Sequence, residues 1–298
     1  MTETARTGQL STDADDLALV ATDIAQTAAA HVRRRRPELF GSATVYESSD
    51  GVGGAAAVST KSTPTDPVTL ADTETEEMIA SLLAERRPGE EMLGEEGGGT
   101  VDIPRGVRWV VDPIDGTVNF MYGIPAYAVS VAAQIDGVSV AGAVVDVARE
   151  VTYAAARGSG AYRHSGDARD RLRVSGIDDV SLALVATGFA YDRRRREQQA
   201  GIIAALLPRI RDIRRVGAAA LDLCMVASGA VDAHIEHGLS PWDWAAGGLI
   251  AAEAGAVVTL PPAQSRSSDG HPTIALSPGV AQEMTRLFDE VGALRDLP

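Results

Sequence analysis

The chain has 298 residues, with 41 Asp and Glu against 27 Lys and Arg and a formal charge of −14. That balance excludes a protein built mainly to grip phosphate backbones, whose affinity comes from Lys and Arg. A single cysteine, Cys224, excludes an internal disulfide framework. A hydrophobic fraction of 45% with 23% charged residues belongs to a globular chain with a sizeable core, and the length suggests about two lobes.

The opening MTETARTGQL lacks the apolar centre of a secretory signal. The apolar stretches 17–30 and 249–260 are broken by Asp23 and Glu253 and fall short of a membrane span, so the expectation is a soluble, cytoplasmic protein. Residues 12–35 read as an amphipathic helix. Ser11 or Thr12 can cap it, Asp13, Asp15 and Asp16 lie in its first turn, and Arg33–Arg36 close it. Leu17, Val20, Ile24, Ala28 and Val32 recur along it at helical spacing. The Gly-, Ser- and Ala-rich stretch 41–60 predicts a mobile loop or loose hairpin.

A second helix over 72–85 turns Met78, Ile79, Leu82 and Leu83 to one face and stops at Pro88-Gly89. RWVVD, residues 108–112, reads as a buried strand, and 126–133, 138–145 and 150–155 as an antiparallel meander. After a turn-rich stretch at 158–170 the pattern changes to strands (181–188, 231–235, 256–260) alternating with helices (197–207, 217–228, 243–254). A polar loop, 261–272, and a last helix, 278–291, complete it. The expected organisation is an α+β half with an antiparallel-rich sheet, 1–158, followed by an α/β half, 159–298.

The segment WVVDPIDGTVNF, 109–120, is the richest in chemistry. Asp112 ends a buried strand and Asp115 follows across a turn preset by Pro113. Gly116 removes a Cβ that would keep a ligand from the backbone, and Thr117 offers a hydroxyl and an N–H where an anion is favoured. Two carboxylates so close repel, and one takes up a proton unless a cation sits between them; hard oxygens of this kind suit Mg²⁺. The plainer alternative is a pair of Asx turns. LGEEGGG, 93–99, presents Glu95 and Glu96 beside open backbone, which alone reads as an acidic surface loop. PWDWAAG, 241–247, puts Asp243 at a helix start, where a simple N-cap would also explain it. KSTPTDPVTLAD, 61–72, carries Lys61 and Asp72.

Together these four blocks, in this order across about 61–260, resemble the inositol monophosphatase family of the magnesium-dependent, lithium-sensitive sugar-phosphatase superfamily. The resemblance implies an alternating αβαβα layered sandwich, combining α+β and α/β halves with the site between them. It implies a Mg²⁺-dependent phosphomonoesterase that hydrolyses myo-inositol monophosphate with metal-activated water, using two or three ions. Glu95, Asp112 and the Ile114 carbonyl would hold the first metal, and Asp112, Asp115 and Asp243 the second, with Glu95 sharing a third. Thr117 and Asp72 would orient and deprotonate the water, while the Gly116 and Thr117 amides hold phosphate oxygens. Glu236 would meet a substrate hydroxyl, Gly217, Ala218 and Ala219 would line the pocket, and Lys61 would ride a closing loop. A homodimer is implied, with no membrane or nucleic-acid partner.

The sequence departs from the better-known animal pattern at Ala218, where a small hydroxyl residue is usual, and at Asp222, where an amide is usual. Both departures lie on the substrate side, so histidinol phosphate, fructose-1,6-bisphosphate and 3′-phosphoadenosine 5′-phosphate are alternative substrates. An added partner role with the transcription or ribosomal-RNA machinery is a further alternative. The arginine run at 192–197 reads as a solvated surface, and Cys224 as a buried thiol. Trp242 and Trp244 read as packing groups. His234 and His237 flank Glu236 without a third partner, which argues against zinc.

Overall fold

The computed structural model describes residues 10–41, 58–61, 67–97 and 99–298; most of the loop expected over 41–60 lies outside them. Helix α1 (Ala14–Phe40) buries Leu17, Ala21, Ile24, Ala25, Ala28 and Val32. Its cap is Asp13, whose carboxylate accepts from the Asp15 and Asp16 N–H groups, rather than Ser11 or Thr12. It also runs past the four arginines and through Pro37 to Phe40. The Phe40 ring meets Phe120 edge-on at 5.7 Å, which anchors that extra turn. Strands β1 (Val58–Thr60) and β2 (Pro67–Thr69) pair antiparallel and lead into α2 (Leu70–Arg86).

Seven strands form the first sheet, in sequence order: β3 (Glu91–Gly94), β4 (Val107–Asp115), β5 (Ala128–Ile135), β6 (Val138–Asp146), β7 (Val151–Ala156), β8 (Gly160–Ser165) and β9 (Ala168–Arg171). Only β3 runs parallel to its neighbour β4; the others are antiparallel. The expected meander is therefore present and longer than expected. The stretch 158–170 is not loop but mostly β8 and β9, so the change of pattern near 158 falls inside one sheet. Its outer strand β9, ARDR, is exposed along its whole length. Without an apolar face to alternate, it carries none of the period-two signal by which strands are read.

The second sheet has the order β11 (Asp212–Arg214), β10 (Leu184–Thr187), β12 (Ala233–His237), β14 (Pro272–Leu276), β13 (Val257–Thr259). β10 runs parallel to β11 and β12, and β14 antiparallel to β12 and β13. β14 begins where the expected polar loop ends and fills the interval before the last helix, to which the sequence reading assigned no element. Helix α4 (Arg193–Leu206) begins four residues before its expected start because Asp192 caps it, accepting from the Arg195 N–H. Arg195 is buried rather than solvated.

Three apolar clusters define five layers. α1 and α2 pack on one face of the first sheet through Trp109, Val111, Val129 and Ala143. The other face, with Val110, Ala132 and Val144, packs on α5 (Ala219–Ala227) and α6 (Pro241–Glu253), which reach Ala186 and Ala275 of the second sheet. Beyond that sheet, Val185, Ile235 and Leu276 pack against Leu206 of α4 and Met284 and Phe288 of α7 (Pro278–Glu290). The result is the expected αβαβα sandwich. Cys224 and Trp244 are buried in its middle layer. No described helix is long and apolar enough to cross a membrane.

The middle helices lie very close to the first sheet. A Cβ on Gly142 of β6 would sit 2.9 Å from the Ala246 Cα of α6, a contact only backbone movement could relieve. Gly142→Val should therefore cost about 1–3 kcal/mol by overpacking. Urea denaturation checks this, and an unchanged midpoint would show that α6 can retreat without loss.

Candidate active site and metal centre

β4 is buried on both faces, and its alternation aims Asp112 toward the same side as Val110, where α5 and α6 lie. Beyond Asp112 the pairing of β4 with β5 shifts register before resuming at Asp115. Asp115 thus ends the strand facing the same site. Asp243 enters from α6. One carboxylate oxygen from each of Asp112, Asp115 and Asp243 lies within 4.8 Å of the other two.

Each carboxylate is fixed by backbone donors. The Ile114 N–H donates to Asp112 Oδ1 at 3.0 Å. The Ala219 and Ala220 N–H groups, at the start of α5, donate to Asp115 at 3.2 and 2.7 Å. The Ser240 N–H donates to Asp243 Oδ2 at 2.7 Å. Asp243 is therefore not the N-cap of α6 but its third residue, reaching back to the cap as in a capping box. Asp72 does the same in α2, where Oδ2 accepts from the Thr69 N–H at 2.9 Å and from the Thr69 hydroxyl.

Asp72 Oδ1 faces Thr117 Oγ1 at 3.0 Å, and the Ile114 carbonyl lies equally far from that hydroxyl. Gly116, at φ +92°, sits where a Cβ would fall 3.0 Å from the Ala126 carbonyl, 3.2 Å from that of Gly217 and 3.3 Å from Ala218 Cβ. Its glycine is thus required by backbone conformation and by the 217–218 loop, not by room for a ligand. The Asn119 side chain ties the same loop down, donating to the Ala126 and Val216 carbonyls at 2.7 and 2.9 Å.

Glu95 follows β3 and borders the three-carboxylate group, its side chain meeting Asp112. Its Oε1 accepts from Lys61 Nζ at 2.8 Å, and Glu96 Oε1 accepts from the same nitrogen at 2.6 Å. Glu236 lies on β12, against Gly188, whose missing side chain leaves room for the carboxylate.

The electrostatics of the site favour a cation. Burial, then repulsion from Glu95, Asp115 and Asp243, pushes the Asp112 carboxyl well above the usual carboxylate range. Burial and Glu95 do the same to Asp243. Burial raises Asp115 to about 7, against its backbone donors, and Asp72 to about 6. Burial and Glu95 lift Glu96 to about 7. Burial opposes the charge on Lys61, but Glu95 and Glu96 outweigh it and raise its pKa. Buried carboxylates that resist ionising alone, converging on one point, fit a divalent metal.

Several of these contacts went unread in the sequence. Thr69-x-x-Asp72 and Ser240-x-x-Asp243 both carry the capping-box signature. Arg214-Arg215 precedes Gly217, and the Arg215 charge acts on Asp115, Asp222 and Glu236. Glu76 gave no local signal; its carboxylate accepts from the Glu96 N–H at 2.7 Å and holds the acidic loop.

A family model described as "Inositol monophosphatase family" matches residues 13–291. An inositol-1-monophosphatase of Mycobacterium leprae is 52% identical over 286 residues, covering 95% of this chain and 96% of its own. The inositol-1-monophosphatase SuhB of Mycobacterium tuberculosis strain H37Rv is 50% identical over 283 residues, 94% of this chain and 95% of its own. The solved structure titled Mycobacterium tuberculosis SuhB superposes with a TM-score of 0.79 at 45% identity, covering 96% of this chain and all of that one.

Without metal, Asp72, Glu96 and Asp115 keep protons in the folded chain up to about 6, 7 and 7, whereas unfolded carboxyls ionise near 4. The folded state binds more protons, so this cluster's contribution to stability falls as pH rises from about 4 to about 7. In chelator, Asp115→Asn should flatten the decline of melting temperature between about pH 4 and about pH 7. A decline as steep in the variant as in the parent would contradict this origin.

Proposed function

The chain belongs to the inositol monophosphatase family, and from that premise we propose that it is a Mg²⁺-dependent phosphomonoesterase acting on myo-inositol monophosphate. The observation that carries the reading is the convergence of Asp112, Asp115 and Asp243 beside the Asp72–Thr117 pair. When bound, Mg²⁺ supplies acidified water, neutralised phosphoryl charge and contact with the leaving oxygen. Asp112, Asp115 and Asp243 would hold it, with Glu95 and the Ile114 carbonyl as further ligands.

Asp72 and Thr117 would manage the attacking water. Asp72 Oδ2 is occupied by Thr69, which fixes the carboxylate and leaves Oδ1 for the Thr117 hydroxyl. A carboxylate near 6 is a usable acceptor for the water's proton at neutral pH. As the new P–O bond forms and the ester P–O bond breaks, the leaving alkoxide takes up a proton. Gly116 and Thr117 amides would receive phosphoryl oxygens.

Glu236 would accept a hydrogen bond from a ring hydroxyl, in a pocket lined by Gly217, Ala218 and Ala219. A neutral polyol suits that carboxylate better than a second phosphate would. Family resemblance also supports a homodimer working in the cytoplasm, and sedimentation of a monomer at micromolar concentration would remove the dimer.

Phosphate release from inositol-1-phosphate should require Mg²⁺ and vanish in Asp112→Asn. Equal turnover without Mg²⁺, or none on a panel including histidinol phosphate, fructose-1,6-bisphosphate and 3′-phosphoadenosine 5′-phosphate, would overturn the reading. Thr117→Ala and Asp72→Asn should each lower kcat by roughly 10²–10⁴ with little change in KM. Glu236→Gln should instead act mainly on KM for inositol phosphate; a pure kcat effect would place Glu236 elsewhere in the reaction.

A further inference from the structure

A second constellation lies behind Glu236. His234 and Glu236 are alternate residues of β12 and share one face of that strand, while Asp222 approaches from α5. One ligand atom from each of the three lies within 4.8 Å of the other two. The closest approach of the imidazole to Asp222 is 3.9 Å, from Nδ1 to Oδ2, too long for a hydrogen bond.

Asp222 and His234 are 1% and 0% exposed. Among the described residues, neither carboxylate oxygen of Asp222 and neither ring nitrogen of His234 has a hydrogen-bond partner. Four orphaned polar atoms in one buried place are costly, and such groups call for a bound species that satisfies them. Burial disfavours charge on all three side chains, lowering His234 to about 3 and raising Glu236 to about 7 and Asp222 well above the usual range. The imidazole is thus neutral and available as a ligand, and a cation would offset the repulsion between the two carboxylates.

The donor set identifies the cation. Two carboxylates and an imidazole suit a borderline transition metal, whereas Mg²⁺ is usually taken by oxygen ligands alone. Three protein ligands with a fourth position toward the partly exposed Glu236 correspond to an open zinc site. We propose that Asp222, His234 and Glu236 form a second metal site in this chain, distinct from the three-aspartate cluster, that binds Zn²⁺. His237, the neighbour that the sequence suggested as a partner, lies on the opposite face of β12 and meets the Ala293 carbonyl at 2.9 Å. Asp222 takes its place as the third ligand. Where Glu236 contacts substrate, which rests on the reading above, bound zinc would withdraw its carboxylate and compete with substrate. Zinc binding itself does not depend on that reading.

Crystals of the full chain soaked in zinc chloride and measured at the zinc absorption edge should show an anomalous peak joined to His234, Asp222 and Glu236. In solution, competition against a chromophoric chelator should count one more zinc per chain for the parent than for His234→Phe or Asp222→Asn, each with its fold checked by circular dichroism. Asp222→Asn keeps the side-chain shape and decides the matter if His234→Phe does not fold. Asp112→Asn should retain the imidazole-bound zinc while losing Mg²⁺-dependent turnover, so failure of the phosphatase reading leaves the zinc count intact. Peaks confined to the Asp112–Asp115–Asp243 cluster, equal zinc counts in the folded variants and the parent, or no zinc bound at all would overturn the proposal.

Discussion

Three carboxylates held within 4.8 Å of one another repel, and burial makes each harder to ionise. Such a group persists only where the backbone offers donors and a cation is free to enter. This chain supplies the donor to Asp112 from β4 itself, at Ile114, and the others from helix starts. Asp115 receives two N–H groups from the first turn of α5, and Asp243 receives the cap N–H of α6. The positive end of each helix dipole therefore lies beside a negative charge. Asp72, in the first turn of α2, follows the same plan through Thr69. Three helices thus begin at one place, and the site is their common N-terminal end gathered at the end of β4.

That meeting explains the layering. α5 and α6 bring their first turns to β4 because they lie between the two sheets, packed on both. Close packing there depends on small residues. Gly142 of β6 admits the α6 backbone at Ala246, and a Cβ on Gly247 would stand 2.9 Å from Leu223 Cβ of α5. The donors that hold the Asp115 and Asp243 carboxylates are thereby set by helix axes packed against the sheet. Sites built on packed elements hold their geometry better than sites built on loops. The acidic loop after β3 is the exception. It is secured by side chains, Glu76 from the body of α2 and Lys61, rather than by the N–H groups of a helix start.

Much of this was legible in the residues, and the losses have physical reasons. Long amphipathic helices and the central meander announce themselves by period, and the DPIDGT, GEE and WDxAAG blocks announce the carboxylates. β9 reads as turn because a solvent-facing edge strand needs no apolar alternation, and β8, though paired on both sides, buries only the small residues Gly160 and Ala161. Charge ordering places the end of α1 at its arginines, because it marks a helix end only locally, while Phe40 meets Phe120, distant in sequence, beyond them. The same limit applies to Asp222. Its place beside His234 and Glu236 depends on how α5 crosses β12, and no spacing along the chain encodes that. Glu95 shows the converse. Its motif is plain, yet the structure ties its Oε1 to Lys61, across 34 residues, while the same side chain also meets Asp112.

The Thr117 hydroxyl links the proposed base to a proposed metal ligand. It has one proton and two acceptors at 3.0 Å, Asp72 Oδ1 and the Ile114 carbonyl, and it can donate to only one at a time. With Asp72 ionised, the proton points to Oδ1 and the Ile114 carbonyl keeps its lone pairs for a cation. With Asp72 protonated at Oδ1, that carboxyl becomes the donor, and the Thr117 proton turns to Ile114. A base near 6 changes between these states close to neutrality. Ionisation of Asp72 therefore makes it the acceptor of the Thr117 proton and turns that proton away from the Ile114 carbonyl, so the two proposed roles fall in the same protonation state.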